Sequence, residues 1–460
     1  MQNLKNNGLR AVLNYLIKIF LIAGTYFLAA KLGLHFAFLK GNVTLIWPPS
    51  GIALASVLLM GYGAIPGIII GAFTGAYSTG APFLYALMVA IGNPLAAIIP
   101  FYLIKRFASF RPQLDTLNSI ISLMAFGALV GPLFSSTIGS AGLLISGLGS
   151  WSNILEVWFK WWLGDAIGVI IFSPVLLTWI SHSKSRSQRN KIVEGIFILG
   201  LVILLDYLVF GNILPSEISY SLYYLILPLT IWAAMRLDSR GVSLINLVAM
   251  SISVWGTVHG FGPFINSTLQ SSLIYMSSTI TIFITALILS AAIAEQRTME
   301  GRLTHQSNHD YLTGLFNRLF FDEETQRLNN SRQFPICVVM ADVDHLKKVN
   351  DTLGHDHGDQ VLKNVAVLFN LVFRKEDIVA RLSGDEFAIL LPNTNLHSLK
   401  RILKRVHAEI SLFNQAHPEL PIRLSFGYCR AHKKNKIEDC LKEADTLMYL
   451  EKQKNRSKNK

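Results

Sequence analysis

Arg381–Leu391, read RLSGDEFAILL, sets two adjacent carboxylates, Asp385 and Glu386, between two apolar runs. The runs 378–382 and 387–391 have the length and composition of strands, and Gly384 can take the positive φ of a tight hairpin, so both acids are expected at or just beyond a hairpin tip. Upstream, the apolar run Ile336–Ala341 ends in Asp342-Val343-Asp344. Carboxylates at a strand end and at a neighbouring hairpin can converge on one hard cation. Mg²⁺ takes oxygen ligands, usually one or two carboxylates together with phosphate oxygens. Such a set suits phosphoryl or nucleotidyl transfer. An isolated Asp-Glu pair is more often a solvated turn, so the chemical reading depends on the elements around it.

Those elements are legible as patterns. Asp310–Arg318 (DYLTGLFNR) is a turn-rich entry to a helix ending near Asn329. After the strand 336–341, Asn350, Asp351, Gly354, His355, Gly358 and Asp359 crowd a segment that reads as a loop. A helix is expected over 360–373, with Val361, Leu362, Val365, Leu368, Phe369 and Val372 on one face. A helix near 396–413, a strand over 422–428 and a helix over 437–452 complete the order α-β-α-β-β-α-β-α. This order predicts an α/β (α+β) sandwich, palm-like or ferredoxin-like, with a mainly antiparallel central sheet.

The chain as a whole is a different kind of object. Of its 460 residues, 51% are hydrophobic and 15% charged, whereas a soluble domain carries about 25% charged residues. Long apolar runs fill the chain up to about Ser290, and an ordinary soluble composition begins after Glu295. The net charge of +12 lies largely in short loops between apolar runs and in the Lys-rich tail from Lys452 to Lys460. It is read as topology and as a phosphate-facing or solvated end, with no nucleic acid as partner. Cys337, Cys429 and Cys440 all fall in the soluble part without CxxC spacing, which predicts free thiols in a reducing cytosol, neither disulfides nor a zinc site.

The apolar part reads as a multi-pass α-helical membrane domain of eight to ten spans, best counted as ten, beginning with a retained first helix near 11–30. The basic groups Lys105-Arg106 with Arg111, then Lys184, Arg186, Arg189 and Lys191, then Arg236 and Arg240 fall on every second loop. With ten spans they share a side with both the N-terminus and the C-terminal domain, and the positive-inside rule makes that side cytoplasmic. The segment 119–154, Gly-rich and holding Pro132, is expected as one kinked helix or a helix plus a re-entrant piece. Trp47-Pro48-Pro49 interrupts or opens a span, Asp165 and Asp206 are acids in or near spans, and Lys18 sits within the first. Intramembrane ionisable groups usually face a cavity or the bundle interior, so Trp47 and Asp165 mark a candidate sensor pocket. The structural alternative is that Asp165 pairs with Lys160 or snorkels and that Pro48-Pro49 starts a helix. Leu289, Ile293, Met299 and Leu303 form an irregular apolar stripe at the junction, suited to a helix that pairs with its copy or to a plain linker.

Two resemblances gather these observations. WPPSGIALA (Trp47–Ala55), AIGNPLAA (Ala90–Ala97) and WWLGDAIGVIIFSPVLL (Trp161–Leu177) resemble the integral-membrane sensor domain MASE, of the first type, over roughly residues 12–290. That implies a sensor without saying what is sensed. Residues 308–458 resemble a GGDEF domain, the diguanylate cyclase module, in four blocks of family order and spacing: DYLTGLFNR, DVDHLKKVNDTLGHDHGD (Asp342–Asp359), RLSGDEF and ADTLMYLEKQKNR (Ala444–Arg456). The division expected is a membrane sensor domain at 1–290, a signalling helix or linker at 291–307 and a cyclase domain at 308–460.

The second resemblance implies condensation of two GTP into cyclic di-GMP and pyrophosphate across a homodimer, with two Mg²⁺ (or Mn²⁺) per GTP site, in a bacterial inner membrane. By matching position it implies that Asp342, the Val343 carbonyl, Asp385 and Glu386 hold metal, Asp385 and Glu386 being the catalytic acids. It implies that Asn350 and Asp359 read guanine, with Ser383 and Gly384 at the nucleotide. Lys347, Lys452 and Arg456 match the basic residues around the triphosphate, aided by backbone N–H groups near His345 and Leu346. Arg374 and Asp377 match an RxxD site where cyclic di-GMP inhibits. The chain departs from the family pattern at Ser383 (for Gly), Leu346 (for Phe) and Asn455 (for Gly). The rival readings are a catalytically impaired receptor of GTP or cyclic di-GMP that signals by contact, a transporter-like membrane protein with a regulatory domain, and a cyclase of another nucleotide.

Overall fold

The computed structural model describes residues 2–35, 46–181, 189–263, 269–433 and 436–458. Lys184 and Arg186 lie outside the described residues, as do the side chains of Arg189, Leu303 and Arg456. The chain forms two compact units, Met1–Arg297 and Thr298–Lys460.

The first unit is helical throughout. Among the described residues, nine helical segments are long and apolar enough to cross a bilayer. One of them, Pro48–Tyr77, reverses at Gly61–Ala64, where Gly61 takes φ +66°. Its two halves run in opposite senses along the first helix. Gly33 packs on Trp47 and Gly63 on Tyr15, whereas Gly67, Gly71 and Gly75 meet Ile22, Tyr26 and Ala30 in ascending order. Among the described residues the helices therefore make ten passes of alternating direction along the bundle. Two of these, Pro48–Met60 and Ile65–Tyr77, have only 13 residues each, about 20 Å at the helical rise.

Small residues let these helices meet at backbone distance. A Cβ on Gly51 would strike the Gly168 carbonyl oxygen, and one on Gly168 the Trp47 carbonyl oxygen. Close approach of this kind is how helices associate where no water drives them together. The Trp47 N–H donates to Gly164 O at 3.0 Å, and Ser173 Oγ to Gly51 O at 3.0 Å.

The Gly-rich segment resolves as one continuous helical run: Leu117–Ser122, a π-helical stretch Leu123–Val130, and Gly131–Ile145. Pro132 supplies no N–H, and the widened turn stands immediately before it. Lys160 pairs with Glu156 at 2.5 Å and not with Asp165. Asp165 is buried and accepts hydrogen bonds from Ser50 Oγ at 2.7 Å and from Ser135 Oγ. Asp206 is also buried, with no hydrogen-bond partner among the described residues, and Lys18 is exposed. Pro48-Pro49 does open a helix, so here the structural alternative and the cavity coexist. The junction is a single helix, Leu269–Asn308.

The second unit is built on four antiparallel strands: β1 (Ile336–Val343), β2 (Ile378–Ser383), β3 (Glu386–Leu391) and β4 (Leu424–Ala431), in the order β2-β3-β1-β4. Alternate residues of β1 serve opposite faces, as the period of a strand dictates. Cys337, Val339, Ala341 and Val343 pack with the helices His355–Val372 and Leu396–Ala416. Ile336, Val338 and Met340 pack with Arg318–Asn329 and Ile437–Lys458. The result is the expected α/β sandwich.

Two expectations are corrected. Asn350 and Asp359 do not sit in a loop: Leu346–Leu353 and His355–Val372 are both helices, divided at Gly354 (φ +92°). Buried Leu346, half-buried Val349 and buried Gly358 give the polar segment an apolar side that its composition conceals. Cys429 and Cys440 are not free thiols but a disulfide, with Cα atoms 5.4 Å apart; Cys337 is free and buried. The cause is close docking of Ile437–Lys458 on β4, where a Cβ on Gly427 would lie 2.9 Å from Met448 Cα.

Candidate active site

Strand pairing assembles the acids. In the β1–β3 register Asp342 lies opposite Glu386. Between β2 and β3 only Gly384 and Asp385 make the turn, with Gly384 at φ +32°. The Val343 N–H donates to Asp385 O at 3.0 Å, which pins the hairpin tip to the end of β1. The docked helix Ile437–Lys458 contributes Lys452, whose Nζ is 2.5 Å from Asp342 Oδ1 and 3.9 Å from Asp385 Oδ2. Burial pushes the Asp342 carboxyl up from its usual range. The Lys452 hydrogen bond opposes that rise, while the charges of Asp385 and Asp344 add to it.

An ammonium shared by two carboxylates marks a place for a cation. Among the described residues no three His, Cys, Asp or Glu side chains converge as a ready cage. Mg²⁺ does not require one, since it keeps waters and takes phosphate oxygens beside one or two carboxylates. The donor set of Asp342, Asp385 and the Val343 carbonyl fits that habit. Glu386 is engaged elsewhere: its Oε2 accepts from Ser383 Oγ at 2.8 Å.

A clamp absent from the sequence reading supports the tip. Arg381 Nε and Nη2 donate to Gly384 O at 3.0 and 2.8 Å, and its Nη1 donates to Asp310 Oδ1 at 3.1 Å. Asp310 also accepts from Thr313 N (2.9 Å) and Thr313 Oγ1 (2.6 Å). Burial raises the Asp310 carboxyl, but these hydrogen bonds and the Arg381 charge outweigh it and hold the group below its usual range. Both residues open recognisable blocks, DYLTGLFNR and RLSGDEF, and that was the signal available.

The remaining assigned residues spread outward from this centre. Asn350 Oδ1 is buried without a hydrogen-bond partner among the described residues and lies where a Cβ on Gly358 would stand. Asp359 is half-buried in the following helix, and Lys347 is exposed on Leu346–Leu353. His345 (φ +63°) starts that helix, whose first N–H groups have no helical partner. Ser383 and Gly384 are exposed. Arg456 lies on the last helix, its side chain outside the described residues.

Arg374 and Asp377 close a turn, Arg374 N donating to Asp377 Oδ2 at 2.8 Å and Asp377 N to Arg374 O at 3.1 Å. Burial raises the Asp377 carboxyl, opposed by that backbone hydrogen bond. In the membrane unit Trp47 and Asp165 line one cavity of about 400 Å³.

Comparison with known proteins agrees with both halves. The MASE1 family model matches residues 19–297, and the model described as diguanylate cyclase, GGDEF domain, matches residues 307–458. The chain is similar to a protein of Escherichia coli (strain K12) described as probable diguanylate cyclase DgcT, with 30% identity over 212 residues, 45% of this chain and 42% of that protein. It is similar to diguanylate cyclase TpbB of Pseudomonas aeruginosa, with 40% identity over 129 residues, 27% of this chain and 28% of that protein. The aligned stretches thus span less than half of these relatives. Among solved structures, the coiled coil and GGDEF domain of DgcB from Caulobacter crescentus in complex with c-di-GMP matches at 26% identity, covering 36% of this chain and 90% of that one, with a TM-score of 0.33. The chain belongs to the MASE1 family and carries a GGDEF domain behind its MASE1 domain.

Proposed function

We propose that the chain is a membrane-bound diguanylate cyclase that condenses two GTP into cyclic di-GMP and two pyrophosphates, under control of a signal received in its membrane domain. The observation that carries this reading is the placement of Asp342 and Asp385 around one cation position held by Lys452. Asp342, Asp385 and the Val343 carbonyl would hold Mg²⁺, which would supply charge stabilisation for the α-phosphate and the leaving pyrophosphate. The protein's own part is positioning. Arg381 and Asp310 fix the tip that carries Asp385. Lys452, Lys347 and Arg456, with the free N–H groups at the start of Leu346–Leu353, receive the triphosphate. Asn350 and Asp359 offer an amide and a carboxylate to the guanine edge, and a buried polar match of that kind rejects the wrong base strongly. Glu386, when released by Ser383, activates the ribose 3′-hydroxyl or joins the metal. Two copies meet to bring two GTP face to face. Arg374, exposed on its closed turn, binds product and restrains turnover.

The ten-pass topology supports a cytoplasmic cyclase domain in a bacterial inner membrane. The basic connections alternate and share the face on which the last membrane helix leaves the bundle. One observation favours a second reading, the receptor: the Ser383 hydroxyl occupies one oxygen of the Glu386 carboxylate.

The test incubates the full-length chain in detergent with GTP and Mg²⁺, beside Asp385→Ala and Glu386→Ala, and identifies the nucleotide product. Cyclic di-GMP from the wild type and none from either variant is the expected result. No product from a folded dimer that still binds GTP or cyclic di-GMP gives the receptor reading instead.

A further inference from the structure

The cavity in the membrane unit has a lining that selects among ligands. Tyr26, Trp47, Tyr85 and Trp161 supply four aromatic rings, Asp165 supplies one carboxylate, and among the described residues no Lys, Arg or His lines it. Asp165 is 1% exposed and accepts hydrogen bonds from Ser50 and Ser135, and among the described residues no basic side chain pairs with it. Lys160, the basic side chain nearest along the same helix, is occupied by Glu156. Asn93 Nδ2 donates to Tyr26 Oη at 2.6 Å, which fixes that ring in the wall. Trp161 is seated against Gly139, where any Cβ would collide with the indole. A buried intramembrane carboxyl group that meets no basic side chain among the described residues offers a seat for a cation from outside. Aromatic faces attract cations by their quadrupole, most strongly where water is excluded. The volume, about 400 Å³, is that of a small-molecule site.

The cavity also has a direction. Thr79–Pro82 and Leu148, on the connections 78–82 and 146–153, form part of its lining. These connections lie at the end of the bundle opposite the one that carries Arg111, Arg236 and Arg240.

We propose that this cavity binds a small organic ammonium ion, its charge on Asp165 and its substituents among the four rings, entering from the face opposite the basic connections. This names the ligand class for the sensor reading above and rests on that reading only for its regulatory consequence.

The test uses the full-length chain in lipid nanodiscs without GTP and reads binding by calorimetry. The probe is benzyltrimethylammonium, and neopentylbenzene is its neutral isostere of the same shape. We expect saturable binding of the cation, at least tenfold weaker binding of the isostere, and at least tenfold loss for Asp165→Asn. If Asp165→Asn does not fold, Tyr85→Ala at the half-buried wall gives the same contrast: cation binding weakened at least threefold, with the thermal transition unchanged. Equal binding of both probes, binding unaffected by the variants, or no saturable binding overturns the proposal. Cyclic di-GMP production measured on the same preparation separates the two readings. Probe binding without product leaves the cavity and removes the cyclase; product without probe binding does the reverse.

Discussion

Ser383 makes the most consequential departure in the signature, and its effect is now geometric. Its hydroxyl donates to Glu386 at 2.8 Å, a bond to a charged acceptor on an exposed turn. Such bonds contribute about 1 kcal/mol when solvent competes. Replacing Ser383 by Gly removes the donor and frees the carboxylate to turn toward the cation position. The expected outcome is a roughly threefold to tenfold fall in the Mg²⁺ concentration for half-maximal pyrophosphate release. An unchanged Mg²⁺ requirement would show that Glu386 does not join the metal. Asp310 offers a second test, one of stability. Its carboxyl is held below the usual range, so its contribution is complete above its unfolded pKa and is lost as pH falls through the lower folded value. Acid unfolding of the soluble unit should therefore have a component below about pH 4 that Asp310→Ala lacks. At neutral pH that variant leaves the guanidinium of Arg381, 12% exposed, without its carboxylate. A loss of about 1–3 kcal/mol in urea unfolding is expected; no loss would remove the clamp from the account of the hairpin.

Elements differ in how openly the sequence declares them. The strands β1 to β3 declare themselves as short continuous apolar runs, because helices cover both faces of the sheet, and the helix Leu396–Ala416 repeats its buried residues at the helical period. The hairpin acids were legible for the same reason, with Gly384 between two apolar runs. The segment from Leu346 to Asp359 was not. Its polar residues and Gly354 imitate a loop, while its burial comes from few positions, among them Leu346 and Gly358. The Cys429–Cys440 pairing was equally hidden, since it depends on how closely a helix rides over Gly427, a tertiary fact. The misread segment supplies its own prediction. Gly358 is the floor under Asn350, and Gly358→Ala must displace that side chain. If Asn350 reads guanine, the KM for GTP rises about tenfold, roughly 1.4 kcal/mol of lost binding, with kcat little changed. A fall in kcat with KM unchanged would place Asn350 in the chemical step, and an unaltered enzyme would end its role as a reader.

At the scale of the whole molecule the decisive question is how often the chain crosses the bilayer. Counting long apolar helices yields nine, because Pro48–Tyr77 is continuous in length and composition. Following side-chain neighbours yields ten, because the chain reverses at Gly61–Ala64 and its second half runs parallel to the first helix. The two counts agree that the basic connections lie together with the exit of the last helix. They disagree about the start of the first helix, near Arg10. Ten passes put Arg10 on the same face as Arg111; nine put it on the face of Ser150. Single cysteines at Arg10, Arg111 and Ser150, all exposed, report this directly. The native thiols interfere little, since Cys337 is buried and Cys429 is bonded to Cys440. In right-side-out vesicles treated with an impermeant maleimide, Ser150→Cys should label at once. Arg10→Cys and Arg111→Cys should label only after permeabilisation. Labelling of Arg10→Cys together with Ser150→Cys would make Pro48–Tyr77 a single crossing. Labelling of Arg111→Cys from outside would invert the whole bundle, placing the basic connections outside and the mouth of the Asp165 cavity on the inner face.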